Sequence, residues 1–438
     1  MSCINGNVLE HGVSYQTEGP IEAALTSKRV SKIVELSTSR AIALCCVKLL
    51  SDKTAGPISV LDAINAFALP GLQWVKHINK DIKVTSNVAK ELQNDICGQN
   101  EDVHQMEIVA EDPHVLMHSR KFKFIYIEAI GSAVTYLDAA LRSINHEGLL
   151  CVTSTDIAIL NNKSPDTALR LYGAKFLKSE YWGEMAVRVI AANVLRAAGR
   201  WGKGVTIEMC TVTEYSVTVV FHVLRGAKHV EPCLPLVQPL SHCLNCQARA
   251  FNEDCSQTLP LNEQTPLCGC GDNNTSALTQ LGPMWSGSIF NPTFIQKLLD
   301  QAIDFKMSES LTKIFQLLLI DSVCCKSELA ENALLKLPET STSNQDGPPE
   351  KKAKSDEESI VIKLDDIQPA PLFYFDFQHH SVKGGNPPKL SAVVERLRKL
   401  GHRASKTHFG PRCVRTSASL QQFNDLLKQM WEEISKTT

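Results

Sequence analysis

Five short apolar runs rich in β-branched residues, separated by stretches with helical spacing, constrain this chain more than any other feature. They read "PISVLDAI" from Pro57, "DIKVTS" from Asp81, "MEIVA" from Met106, "FKFIYIEA" from Phe122 and "GLLCVTS" from Gly148. Strand-length runs of this kind suit strands buried on both faces, and the helices between them supply the crossovers that parallel strands need. A helical pattern with apolar positions three and four apart precedes them in "SKIVELSTSRAIALCCVKLL". A long helix is expected through "GEMAVRVIAANVLRAAGR", then an antiparallel pair in "VTIEMCTVTEYSVTVVFHVLRG" that closes the same sheet. The first domain is therefore expected to be a doubly wound α/β unit over residues 1–225, with a boundary near Gly226.

Residues 226–438 have a different texture, expected as a second α/β domain. Cysteine pairs come first, then helical "NPTFIQKLLDQAIDF" and "SESLTKIFQLLLIDSV". A polar, proline-bearing stretch over about 338–360 has too few large apolar residues to build a core and reads as a disordered linker. Its "PPEKKAK" is either a nuclear import signal or a solvated charge run. "PLFYFDF", "KLSAVVERLRKLGHRASKTHF" and "LQQFNDLLKQMWEEI" suggest a small module of strand, helix, strand and helix.

No window approaches the roughly 18–20 unbroken apolar residues of a membrane helix. "MSCINGNVLEHG" also lacks the basic head and apolar run of a secretory signal. The 15 cysteines are accordingly expected as reduced thiols or metal ligands. Cys243 and Cys246 in "CLNC", with Cys268 and Cys270 in "CGC", form two close pairs. That spacing suits a zinc-ribbon-like site over 243–270, although the second pair has one intervening residue where two are usual. Cys255 is an alternative ligand, and reduced surface thiols are the alternative reading. Four protein ligands leave no open position, so the zinc role would be structural.

Two further features bear on chemistry. Glu128 ends an apolar strand just before Gly131 and a helix. It is either a reacting carboxylate or a helix cap stabilising the first turn by about 1 kcal/mol. Near the C-terminus His402, Arg403, Lys406, His408, Arg412 and Arg415 cluster around Phe409. Cations neutralise phosphates and an interleaved ring stacks on a base, although a solvated basic face has the same composition. The net charge of −2 does not oppose RNA binding, because a local basic face is enough.

Several stretches resemble the eukaryotic and archaeal tRNA guanine-N2 dimethyltransferases, and most closely the divergent "like" branch of that family. They are "EGLLCVTSTDIAIL", "LYGAKF", "EYWGEMAVRVI", "EYSVTVVFHV", "LGPMWSG", "PLFYFDFQHH" and "LRKLGHRASKTHFGPRCVRTSASLQQF". The likeness runs from about Glu18 to Phe423, and without zinc fingers ahead of this region it implies a short form. It implies an S-adenosylmethionine-dependent methyltransferase domain and a C-terminal domain that helps hold tRNA. Methyl transfer would go to the exocyclic amine of a guanine taken out of its stack. Glu128 falls at the catalytic aspartate, so that Glu128-Ala129-Ile130-Gly131 stands where the family has Asp-Pro-Phe-Gly. Arg40 and Asp112 match cofactor-binding positions. Ala68 replaces a glycine of the cofactor loop, Pro70 and Gln73 replace its arginines, and Val88 replaces the ribose-binding acid. Tyr172, Glu184, Arg188 and Tyr215 also match family positions, with an ordinary intrahelical pair explaining Glu184 and Arg188 equally well. The expected function is methyl transfer to guanine N2 in tRNA. The alternative is a tRNA-binding protein with weakened or lost catalysis, acting as a folding helper or regulatory subunit. The expected location is the nucleus or nucleolus, with the cytoplasm as alternative.

Overall fold

The structure, a computed structural model, describes residues 2–4, 7–10, 13–16, 36–64, 68–78, 81–90, 104–251, 277–325, 371–380 and 388–437. The expected linker over about 338–360, its "PPEKKAK", and Cys255, Cys268 and Cys270 lie outside the described residues.

Three short strands open the chain as a small antiparallel sheet: β1 (Ser2–Ile4), β2 (Asn7–Glu10) and β3 (Val13–Gln16). Next come α1 (Ser37–Lys53), β4 (Ile58–Ile64), α2 (Leu69–His77), β5 (Ile82–Asn87) and β6 (Glu107–Val109). They are followed by α3 (Pro113–Ser119), β7 (Phe122–Ala129), α4 (Leu137–Ser143) and β8 (Ile144–Ser154). Then come α5 (Pro165–Tyr172), α6 (Trp182–Arg200), β9 (Lys203–Val212) and β10 (Val217–Arg225).

β4 to β10 form one seven-stranded sheet in the order β6-β5-β4-β7-β8-β10-β9. All five apolar runs are strands of it, and β4, β5, β6, β7 and β8 pair in parallel. The antiparallel pair is also present, but β10 inserts between β8 and β9, so the last strand in sequence is not at the edge. The strand order reverses between β4 and β7. Open α/β sheets leave a crevice for ligands beyond the strand ends at such a point.

β7 is buried along nearly its whole length, as a strand covered on both faces must be. Its even-numbered residues share one face by the two-residue repeat of a strand. Phe124 there meets the Trp74 ring of α2 edge-on at 5.4 Å, and both are fully buried. α1 is buried nearly all round, Ser39 to Val47 being an unbroken buried run. It packs on α2 and on β7 and β8.

The second half adds the sheet β12-β11-β13 from β11 (Val237–Cys243), β12 (Arg249–Phe251) and β13 (Leu278–Trp285). Helices α7 (Pro292–Asp304) and α8 (Glu309–Cys324) follow, and α7 returns to pack on α1 and β9. The C-terminal module comprises β14 (Phe375–Asp376), α9 (Leu390–Lys399), β15 (Ala404–Lys406), β16 (Cys413–Thr416) and α10 (Leu420–Thr437). Its sheet runs β14-β16-β15, and its core gathers Phe375, Val393, Leu397, Val414 and Phe423. "PLFYFDF" contributes only the two residues of β14. Phe373 has φ 62, a left-handed backbone that stops a strand from starting earlier.

Among the described residues no helix is long and apolar enough to cross a membrane.

Candidate active site

The β7 tip is fastened by its neighbour β8. Gly131 N–H donates to Thr155 Oγ1 at 2.8 Å, and that hydroxyl donates to the Ala129 carbonyl at 3.2 Å. Ser154 Oγ accepts from Ala133 N–H at 3.0 Å. Gly131 has φ +121, and a Cβ there would meet nothing within 4 Å. The glycine thus turns the chain sharply and leaves open space beside the tip. Ile130, where the family has an aromatic ring, is half exposed. Tyr172 of α5 donates to Asp156 and lies 3.0 Å from Ser132 Oγ, supporting the same loop from outside.

Glu128 is 6% exposed and does not cap the following helix. It faces α1, where Arg40 Nη1 donates to Oε1 at 3.1 Å. Tyr126, two residues earlier on the same face, donates from its hydroxyl to Oε2 at 2.6 Å and lies 2.9 Å from Ser39 Oγ. Burial raises the proton affinity of Glu128, against the opposing pull of Arg40 and Tyr126. Burial pushes the Tyr126 phenol well up as well, and the charge of Glu128 adds to it, so the phenol stays a donor.

Arg40 is fully buried between two carboxylates. Nε donates to Glu10 Oε1 at 2.8 Å and Nη2 to Glu10 Oε2 at 2.7 Å. Gln73 of α2 adds a bond from Nε2 to Glu10 Oε1 at 3.0 Å. Burial opposes the guanidinium charge, but Glu128 and Glu10 outweigh it and hold Arg40 charged.

The loop after β4 keeps part of its expected geometry. Ala68, in the place of a glycine, has φ 53, the left-handed conformation that glycine adopts freely. A side chain there costs about 1–2 kcal/mol. Asp62 at the end of β4 is fully buried and accepts from Ser86 Oγ at 2.6 Å. Burial pushes its carboxyl up to about 8, so it is largely protonated at neutral pH. Asp62 Oδ1 and Gln73 Oε1 are buried oxygens without a hydrogen-bond partner. Asp112 caps α3, accepting from the His114 and Val115 amides, and those bonds hold its carboxyl below the usual range. Its side chain is 61% exposed. Val88, at the expected ribose position, is buried.

The basic tail divides in two. Lys406 and Arg412 are exposed and Arg403 is half-buried. Arg415 is not on the surface at all, which corrects the expectation that it meets RNA. It bonds Asp321 Oδ1 through Nε at 2.7 Å and pairs with Glu184 Oε2 through Nη1 at 2.8 Å. His408 is likewise turned inward, its side chain 4% exposed with Nδ1 3.3 Å from Asp321 Oδ2. Glu184 also accepts from Arg188 at 2.8 and 3.0 Å, the expected pair one helical turn apart, and from the Phe373 amide. Burial raises the carboxyls of Glu184 and Asp321, but Arg415 beside both reverses the shift, and both end below the usual range. Phe409, whose ring stacks on Tyr374 at 4.9 Å, and Arg412 line a cleft of about 850 Å3 together with Lys178, Glu180 and Trp182.

Cys243 ends β11 and Cys246 sits in the tight turn after it, closed by Gln247 N–H to the Cys243 carbonyl at 2.8 Å. Among the described residues no group of three or more His, Cys, Asp or Glu is arranged to hold a metal ion. Cys268 and Cys270 belong to the segment outside the described residues.

Glu10 and Tyr126 escaped the reading of the sequence. Only Tyr126 carried a usable signal, its two-residue spacing from Glu128 on a strand.

The family described as N2,N2-dimethylguanosine tRNA methyltransferase matches residues 35–335 and 329–428. A tRNA (guanine(27)-N(2))-dimethyltransferase of Rattus norvegicus is 32% identical, covering 90% of this chain and 60% of the relative. A tRNA (guanine(26)-N(2))-dimethyltransferase of Methanobrevibacter smithii is 26% identical, covering 90% of both. This chain thus spans about 60% of the length of the rat relative. Trm1 from Pyrococcus horikoshii, solved in complex with S-adenosyl-L-methionine, shares the fold at TM-score 0.66 and 19% identity, over 90% of this chain and 93% of that one. With the family matched along most of its length, this chain belongs to the N2,N2-dimethylguanosine tRNA methyltransferase family.

Proposed function

We propose that this chain transfers a methyl group from S-adenosylmethionine to the exocyclic N2 amine of a guanine in tRNA. In this reading the large sheet over residues 1–225 is a Rossmann-like methyltransferase domain and residues 226–438 hold the tRNA. The observation that carries it is Glu128, a buried carboxylate at the tip of β7 beside the strand-order switch, held by Arg40 and Tyr126.

The residues present fit the cofactor at its methionine end. Arg40 and Gln73 already cradle a carboxylate, and Asp62 Oδ1 and Gln73 Oε1 are buried oxygens that lack partners. Asp112 would hold the adenine end. Bound there, S-adenosylmethionine supplies an electrophilic methyl group. The rest is the work of this chain. Guanine N2 is a poor nucleophile because its lone pair is delocalised into the ring. Glu128 accepts one N2–H, localises that pair and takes the proton as the bond to carbon forms. Its raised proton affinity makes it the better base, while the Tyr126 hydroxyl and Arg40 fix its rotamer. The Ala129 carbonyl, oriented by Thr155, accepts the second N2–H. Incubating the chain with labelled cofactor and total tRNA, then identifying nucleosides by mass spectrometry, should reveal N2-methylated guanosine. No labelled guanosine from any tRNA pool would overturn the reading.

A second reading, tRNA binding without catalysis, draws on the same pocket: both oxygens of Glu128 are engaged and Glu10 sits on Arg40. It predicts tight tRNA binding with no product in that experiment.

RNA contact is assigned to Arg403, Lys406 and Arg412, and to the cleft that Arg412 lines with Trp182 and Phe409. Replacing the three cations with alanine should lower tRNA affinity about tenfold or more and flatten its salt dependence, by up to about 0.9 in log–log slope per lost phosphate contact. Filter binding at several salt concentrations measures both, and unchanged slopes would move the RNA elsewhere.

Structural zinc is assigned to Cys243, Cys246, Cys268 and Cys270. The Leu244 amide bonds the Ala277 carbonyl at 2.7 Å, and β12 ends at Phe251 beside β11. Both flanks of the segment carrying the second pair are thereby pinned next to the first. Purified protein should contain about one zinc per chain and lose it, with stability, when Cys243 and Cys246 become serine. Metal analysis of freshly isolated protein without zinc would refute the site. A nuclear location, suggested by "PPEKKAK", belongs to the same proposal.

A further inference from the structure

Among the described residues the shortest bond of Arg40, 2.7 Å, runs to a side chain of the N-terminal sheet. Glu10 ends β2, thirty positions before Arg40 and far from Gln73 in sequence, yet all three converge in the interior with exposures of 2%, 0% and 0%. Nε and Nη2 of Arg40 meet the two oxygens of Glu10 side by side, the fork-to-fork geometry of guanidinium and carboxylate. Glu128 meets the same guanidinium at Nη1, so among the described residues two acids share Arg40. A ligand carrying an α-carboxylate next to an ammonium group would offer the same pair of oxygens to Nε and Nη2.

We propose that Glu10 is an internal stand-in for the cofactor's carboxylate, so that the N-terminal sheet and the cofactor compete for the Arg40–Gln73 seat. This rests on the methyltransferase reading and adds to it a built-in competitor. Glu128 keeps Arg40 in place when β2 withdraws, so the seat stays formed for the incoming group. Among the described residues β2 pairs with β1 and β3 in a sheet separate from the seven-stranded one, and β3 packs on α2. Apparent cofactor affinity is then reduced by the fraction of chains with the seat closed.

Equilibrium binding of S-adenosylhomocysteine to the full chain, its Glu10→Gln variant and its Glu10→Ala variant tests this. 5′-Methylthioadenosine, which has no carboxylate, serves as the control ligand. Both variants should bind S-adenosylhomocysteine at least tenfold more tightly than the parent, with a smaller change for the control. Hydrogen exchange on the unsubstituted chain gives a readout independent of whether the variants fold: S-adenosylhomocysteine should accelerate exchange of the amides of β2 and β3. Equal binding by parent and variants, or slower exchange of β2 on ligand addition, would make Glu10 a structural partner of Arg40 and overturn the competition while the methyltransferase reading stands. Absence of binding by all three proteins, with and without tRNA, would overturn both.

Discussion

Glu128→Gln is expected to abolish methyl transfer, lowering the rate by on the order of 10²–10⁴-fold, while tRNA affinity stays within about twofold. The amide keeps the shape of the side chain, and its oxygen still accepts from Tyr126 or from Arg40. What it loses is the ability to take the N2 proton. Arg40 retains Glu10, so the substitution does not strand a buried cation. Glu128→Asp withdraws the carboxylate by one carbon–carbon bond, about 1.5 Å. In this fold that distance separates it from the Tyr126 hydroxyl and Arg40 Nη1, both matched to the longer side chain. A displacement near 1 Å costs on the order of 10²-fold, so the aspartate variant should retain partial activity. Single-turnover transfer from labelled S-adenosylmethionine measures both variants. Equal rates for the parent and Glu128→Gln would place the proton acceptor elsewhere.

The second large effect is on stability. Arg415→Leu removes the guanidinium shared by Glu184 and Asp321, two fully buried carboxylates. Arg188 still neutralises Glu184, but among the described residues Asp321 keeps just Thr407 and His408. Breaking a buried pair from one side costs about 3–5 kcal/mol, because the remaining charge has lost its solvent and its partner. The network joins α6, α8 and β16, so the loss should release the C-terminal module first. Urea unfolding should show a large drop in midpoint, and hydrogen exchange should rise earliest in β14 to β16. Arg415→Lys should rescue little, since an ammonium group cannot reach both acids with the geometry of a planar fork. The effect also has a pH signature. Folding holds Glu184 and Asp321 below their unfolded values, so their contribution is present above about pH 4–5 and is lost as pH falls through the folded values. An unchanged midpoint in Arg415→Leu would show that the network contributes nothing net.

The strands of the large sheet were legible because a strand covered on both faces needs an apolar run; all five runs became strands, although β6, at the sheet edge, is not buried. Helices α1 and α6 were legible from their spacing, although nothing in that spacing showed that α1 is buried on nearly every side. The order of the strands was not legible. β10 slots between β8 and β9 through backbone pairing, and hydrogen bonds between main chains leave little trace in side-chain pattern.

The site divides in the same way. Glu128 stood out as an acid at the end of an apolar strand because that effect is local, whereas Asp112 was singled out only by the family resemblance, and its capping of α3 came from the structure. The partners of Glu128 were not visible. Arg40 reaches it across 88 positions, and Glu10 reaches Arg40 across 30. The basic tail shows the limit most plainly. Arg403, Lys406, Arg412 and Arg415 are alike as a run of letters, yet Arg415 is fully buried on Asp321 and Glu184 while Lys406 and Arg412 face solvent. The sequence determined which segments become strands and helices and which residues are chemically able to act, since those follow from near neighbours along the chain. Only the tertiary structure decided which charges meet water and which meet each other, because burial and pairing depend on elements that the chain brings together from far apart.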